Sequence, residues 1–296
     1  MKRTLLIASV SGLLLLGGTP REGGDSTYSL LDAPLSLLQS EAAQRDRDAQ
    51  PRIEELIRHC MRDRGFRYVP IDHERATRLP QADLLTRDEF RHRFAYGVVA
   101  RVLDPRPFRQ PRYVDPNEAI RAALSPSLRA AYSVALYGDE SHPVDVLDGD
   151  GELAVQVFPS SCIARAQAVI RGPVVERARA SALLDDEMAG YWRQVENDAL
   201  LEKSARDWAA CMEGGGFRFR DPNEITSYLL DRLAGARGPK FEKRLEQLRS
   251  LEVSISLRDQ ACQEATERER VLWEIRSRRD AEFVERHGQL IEEAWF

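Results

Sequence analysis

Four cysteines set inside an internal repeat constrain this chain more than any other feature. The segment Cys60-Met61-Arg62-Asp63-Arg64-Gly65-Phe66-Arg67-Tyr68 aligns with Cys211-Met212-Glu213-Gly214-Gly215-Gly216-Phe217-Arg218-Phe219. Cys, Met, Gly, Phe and Arg coincide, and the last position is aromatic in both. Coincidence at residues as scarce as Cys and Met, 4 of each in 296, points to a repeated unit. Each copy ends an amphipathic helical pattern. Each is followed by one more cysteine on a predicted helix, Cys162 after the first and Cys262 after the second. The sequence therefore predicts a mainly α fold of two helical units, each a helix pair clamped by a disulfide. Four cysteines allow three pairings. The repeat selects Cys60–Cys162 with Cys211–Cys262, and a crossed pairing such as Cys60–Cys211 with Cys162–Cys262 is the alternative. Closures of this length each contribute roughly 4 kcal/mol by loop entropy, comparable with the net stability of many domains. No CxxC or CxxH spacing occurs, so neither a zinc site nor a redox-active pair is expected. Phe66, Tyr68, Phe217 and Phe219 are expected to pack over the bridges in preference to stacking on a ligand.

Disulfides belong to exported proteins, and the first residues give that reading. Lys2 and Arg3 precede residues 5–16, which carry no charge. A spanning helix needs about 20 apolar residues, so this run suits the apolar core of a signal peptide. We expect a signal peptide at 1–20 and a flexible lead-in, rich in Gly, Pro and Ser, at 21–36. Gly17-Gly18-Thr19-Pro20 lacks an A-x-A cleavage pattern, so an uncleaved N-terminal anchor is the alternative. No cysteine follows the apolar run, so there is no lipobox. No later segment is apolar enough to span a membrane. The expected location is secreted or extracytoplasmic, in the cell envelope.

Helical patterning starts near Leu37. Ile53, Leu56, Ile57 and Cys60 fall on one helix face behind Pro51, which suits a first turn, and Gly65 suits the helix end. A short helix is expected over 87–102. Asp115-Pro116-Asn117-Glu118 and Asp221-Pro222-Asn223-Glu224 are capped helix starts, and Ser125-Pro126 opens another helix reaching Tyr137. Residues 144–158 alternate around Asp148-Gly149-Asp150-Gly151 and predict a small β-hairpin. One long helix is expected over 183–212, stopped by Gly214-Gly215-Gly216, and one or two more from Pro239 onward. The first unit is placed at 37–182 and the second at 183–296.

In their order, these motifs resemble a group of uncharacterised secreted proteins and lipoproteins of actinobacteria. The resemblance rests on the Cys-Met-x-x-x-Gly-Phe-x-aromatic endings, Tyr68-Val69-Pro70, Asp88-Glu89-Phe90, Tyr96-Gly97-Val98, Leu124-Ser125-Pro126, Asp207-Trp208 and Asp259-Gln260-Ala261-Cys262. It covers most of residues 50–290. Many members carry a lipobox, and this chain departs from them there. The resemblance implies fold and compartment and no particular reaction.

Chemistry is hard to find in the sequence. The histidines His59, His73, His92, His142 and His287 form no HExxH or other close ligand pair. Asp72-His73-Glu74 is the tightest polar cluster and reads as solvated surface. Asp148-Gly149-Asp150-Gly151-Glu152 hints at a calcium loop, but aligning Gly151 on the loop's glycine puts Val146 and Val157 where acids are needed. There is no GxSxG elbow and no GxxxxGK[ST] loop. The net charge of −5, or −7 without Lys2 and Arg3, gives no general attraction to nucleic acid. No catalytic, cofactor-binding or metal-binding residue is assigned, and no cofactor is expected. The expectation is a non-enzymatic envelope or extracellular protein that binds a partner protein or wall component. The alternatives are an extracellular hydrolase with an acidic dyad and a small-molecule carrier with an apolar cavity.

Overall fold

The computed structural model describes residues 32–236, 238 and 240–296. The expected signal peptide and most of the lead-in lie outside the described residues. The chain begins with α1 (Pro34–Asp63) and continues through the short helices α2 (His73–Ala76), α3 (Arg87–Phe94), α4 (Ala100–Leu103) and α5 (Pro116–Ala122) to α6 (Pro126–Tyr137). An antiparallel hairpin follows, β1 (Val144–Leu147) and β2 (Leu153–Val157). The rest is helical: α7 (Cys162–Arg171), α8 (Val174–Glu196), α9 (Ala199–Gly214), α10 (Asn223–Gly235), α11 (Phe241–Ala265) and α12 (Arg268–Trp295). The fold is mainly α with one small hairpin, as expected.

Both Cys-Met segments end their helices in the same way. In α1 the Phe66 N–H donates to the Met61 carbonyl (2.9 Å) and Gly65 N–H to Arg62 (2.9 Å). In α9 Phe217 donates to Met212 (3.1 Å) and Gly216 to Glu213 (2.9 Å). Gly65 and Gly216 sit at φ +81° and +86°, where a side chain would be strained. This is a Schellman ending, in which the residue after the glycine packs back on the last turn. The motif spacing thus has a local cause: Met supplies the accepting carbonyl, Gly the left-handed turn, and Phe the apolar contact.

Three expected helix boundaries differ. Helix α1 already starts at Pro34, so Pro51 lies inside it and not in a first turn. A proline there lacks the N–H for the preceding turn, and burial of Ile53, Ile57 and Met61 holds the helix through it. The 183–212 helix is broken at Asn197 and Asp198, where Asp198 accepts from Leu200 N–H and caps α9. The helix over 87–102 is interrupted from Ala95 to Val99. The C-terminal run, expected as one or two helices, is two, turned at Glu267, which adopts a left-handed conformation.

Three apolar clusters form the interior. Around the first bridge, Ile53, Ile57, Met61 and Tyr68 pack with Tyr132, Leu136 and Cys162. Around the second, Trp208, Met212, Phe219, Ile225, Leu229 and Ile255 pack with Cys262, and Val98 and Val99 join them. The third unites α1, α8 and α12 through Leu35, Leu184, Tyr191, Ile275, Phe283 and Ile291. Helix α12 lies along α8 and also packs on α9 and α1, while the hairpin rests on α8. Among the described residues no helix is long and apolar enough to cross a membrane.

Candidate functional site

The four cysteines assigned from the sequence meet in the favoured pairing. Cys60–Cys162 has a Cα separation of 5.6 Å and Cys211–Cys262 one of 5.7 Å, both within ordinary bridge geometry. Cys162 and Cys262 are fully buried. The repeated aromatics pack as expected: Phe66 meets Tyr132 edge-on at 5.4 Å, and Phe219 meets Tyr228 at 5.3 Å. The bridges are structural parts of the core.

The charged side chains of the interior were not anticipated. Five buried carboxylates, Glu54, Asp198, Glu252, Asp259 and Asp280, each accept several internal donors. Glu54 accepts from Tyr68 Oη (2.8 Å) and Ile71 N–H (2.8 Å), and its other oxygen lies 2.7 Å from His73 Nε2. Glu252 accepts from Val98 N–H (2.8 Å) and Val99 N–H (3.0 Å). Asp259 accepts from Tyr96 Oη (2.6 Å), Trp208 Nε1 (2.9 Å) and Gln263 Nε2 (2.7 Å). Asp280 accepts from Leu35 N–H (3.1 Å), Arg276 Nε (3.0 Å) and the Tyr191 hydroxyl.

Burial, then the Glu54 charge, pushes the Tyr68 hydroxyl far above its ordinary range. Burial and a carboxylate acceptor do the same to Tyr96 and Tyr191. These tyrosines are permanent proton donors to carboxylates, each holding a distant segment in place. Burial also raises Glu252, against the opposing pull of its backbone donors. Acceptors engaged in this way tie distant segments of the fold together.

The sequence-level candidates are dispersed. Asp72 accepts from Arg75 N–H as the cap of α2, and His73 turns toward Glu54. His142 pairs with Asp139 (3.0 Å), and His287 stacks on Phe283 at 4.5 Å. Asp148 Oδ1 accepts from Asp150 N–H (3.0 Å) and Glu152 N–H (2.8 Å), so this carboxylate closes the hairpin turn. No group of three or more metal-ligating side chains occurs among the described residues. A cleft of about 50 Å³ lies between α8 and α12, lined by Glu187, Tyr191, Arg279, Phe283 and His287. That is well below the volume of a small-molecule pocket. In the glycine stop, Gly216 provides the positive φ, while Gly215 makes room for Arg258, whose Nε lies 2.4 Å from where a β-carbon would stand.

One outward-facing feature that pairs exposed apolar side chains with acids is the hairpin lobe. Leu147 and Leu153 are cross-strand partners and are 49% and 55% exposed. Val144, Asp145, Asp150 and Glu152 are also exposed, and Val146 is buried against the body. Gly149 N–H donates to Asp186 Oδ2 (2.7 Å), which fixes the turn on α8. Residues 130–164 hold six acids and no lysine or arginine. This stretch alone carries more negative charge than the net −5 of the whole chain. Hydrogen bonds from the Ser141 hydroxyl and backbone, then from His142, hold Asp139 down at about 2, so it stays charged.

No protein-family model, curated protein or solved structure matches this chain.

Proposed function

We propose that this chain is an exported, disulfide-braced protein of the cell envelope or extracellular space that works by binding a partner. The observation that carries the reading is the hairpin lobe, an exposed apolar and acidic surface fixed to a helical body whose buried carboxylates are all engaged internally. The exposed Leu147 and Leu153 pair, rimmed by acids and held on a rigid frame, suits a contact surface. The two bridges and the charged, then apolar, residues 2–16 support export. The order of the Cys-Met and Asp-Gln-Ala-Cys motifs, which resembles that of secreted actinobacterial proteins, supports the same compartment.

The test is proximity cross-linking in the native host from a photo-reactive residue at Leu153, with one at exposed Leu257 on α11 as the control. The reading expects a discrete adduct outside the cytoplasm from position 153 alone. Cytoplasmic protein with free thiols would overturn the compartment. Turnover of a wall polymer or ester by the pure protein, abolished by one substitution, would overturn the binding role.

A further inference from the structure

We infer that the free edge of β1 takes an extended, cationic polypeptide segment as an added strand. The inference rests on the binding role proposed above and names the class of partner. A two-stranded hairpin has two outer edges, and a strand edge is a ready template for another chain. The edges here differ. Val146 pairs with Val155 and Leu147 with Leu153, so Ala154 is left without a partner and β2 is bulged. A bulge blunts an edge. Strand β1 is regular from Val144 to Val146, and among the described residues no backbone bond from elsewhere reaches its outer side.

Charge selects the occupant. The strand lies within residues 130–164, which include Asp139, Glu140, Asp145, Asp148, Asp150 and Glu152 and lack any lysine or arginine. The rest of the chain sums close to neutral, and Asp186 of α8 adds a further acid beside the turn. An added strand with Lys or Arg at alternate positions brings opposite charges to the face that carries Asp145, while its other face carries apolar residues toward Val144. An acidic strand is repelled. The acids also keep the edge from pairing with a second copy of itself, since like charges across a strand pair are destabilising.

The probe is the peptide acetyl-Lys-Val-Lys-Val-Lys-Val-Lys-amide, titrated against the full oxidised protein with amide NMR. Its partners are an N-methylated version that keeps charge but cannot pair as a strand, and a Glu-Val version. The inference expects saturable binding of the first peptide, with shifts and exchange protection centred on residues 144–147. It expects no binding of the Glu-Val peptide and loss of binding on N-methylation. The variant Glu140→Gln, Asp145→Asn, Asp150→Asn and Glu152→Gln is expected to bind about tenfold more weakly, from the small worth of each exposed pair. Equal binding of the N-methylated peptide reduces the lobe to a diffuse polyanion and overturns strand addition. Shifts confined to another face, or no binding of the cationic peptide, also overturn it. Neither result touches the broader binding role, which stands or falls on the cross-link from Leu153 and on the absence of turnover.

Discussion

Replacing Glu252 tests whether buried carboxylates hold this fold together. Its two oxygens accept Val98 and Val99 N–H across 154 and 153 residues of sequence. Glu252→Ala removes both acceptors in a place water does not reach, and each orphaned N–H costs about 1–3 kcal/mol. Removing the buried charge returns part of its desolvation cost. The expected net loss is therefore about 2–4 kcal/mol. Glu252→Gln keeps one acceptor and turns an amide toward the other N–H, so about 1–3 kcal/mol is expected. The readout is native-state hydrogen exchange at Val98 and Val99 together with the urea midpoint. A pH series adds a second signature. Burial raises Glu252 from 4.5 in the folded state. Between 4.5 and that raised value the folded chain holds a proton that the unfolded chain has lost. Stability from this group is therefore complete below 4.5 and falls as pH rises through the folded value. Glu252→Gln must lose that segment of the profile. If Glu252→Ala lies within about 0.5 kcal/mol of the parent, or Glu252→Gln keeps the acid-side slope, the tether is wrong.

Other substitutions separate causes that lie side by side. Gly216→Ala meets no atom within 4 Å, so its cost is the left-handed backbone alone, about 1–2 kcal/mol by thermal melting. Gly215→Ala displaces Arg258, which donates to the Cys211 carbonyl. A Gly215→Ala, Arg258→Ala double mutant should therefore cost less than the sum of the singles, and simple additivity would count against the contact. Removing Cys60–Cys162, which closes 102 residues, should cost about 4.7 kcal/mol by loop entropy, against about 4.1 for the 51 residues of Cys211–Cys262. Denaturant midpoints in the reverse order would show that strain or residual structure dominates. Asp280→Asn weakens the buried pair with Arg276 and the tether to Leu35 N–H, so exchange at Leu35 should rise by tenfold or more, equivalent to about 1.4 kcal/mol.

What the sequence determined by itself is what short-range chemistry determines. The helical class, the hairpin at 144–158 and the capped starts at Asp115 and Ser125 depend on neighbours a few residues apart. The Schellman endings do too, since Met, Gly and Phe act within five residues of one another. The bridge pairing was legible because two similar segments each had one cysteine to spare. The break at Asn197 and Asp198 was also locally signalled, by a capping Asp, but the apolar pattern continues across it. Only the tertiary structure decided which charges are inside. Glu252, Asp259 and Asp280 stand among many acids on long charged helices, and nothing in their spacing marks them as buried. Their donors come from Val98, Tyr96 and Leu35, which lie 154, 163 and 245 residues away. The outward face of the hairpin was decided in the same way. Alternation shows that one side of a strand is apolar, but which apolar residues meet α8 and which stay in water depends on where that helix lies. Burial is a property of the whole packing, and a charge can be buried only where the fold brings it partners.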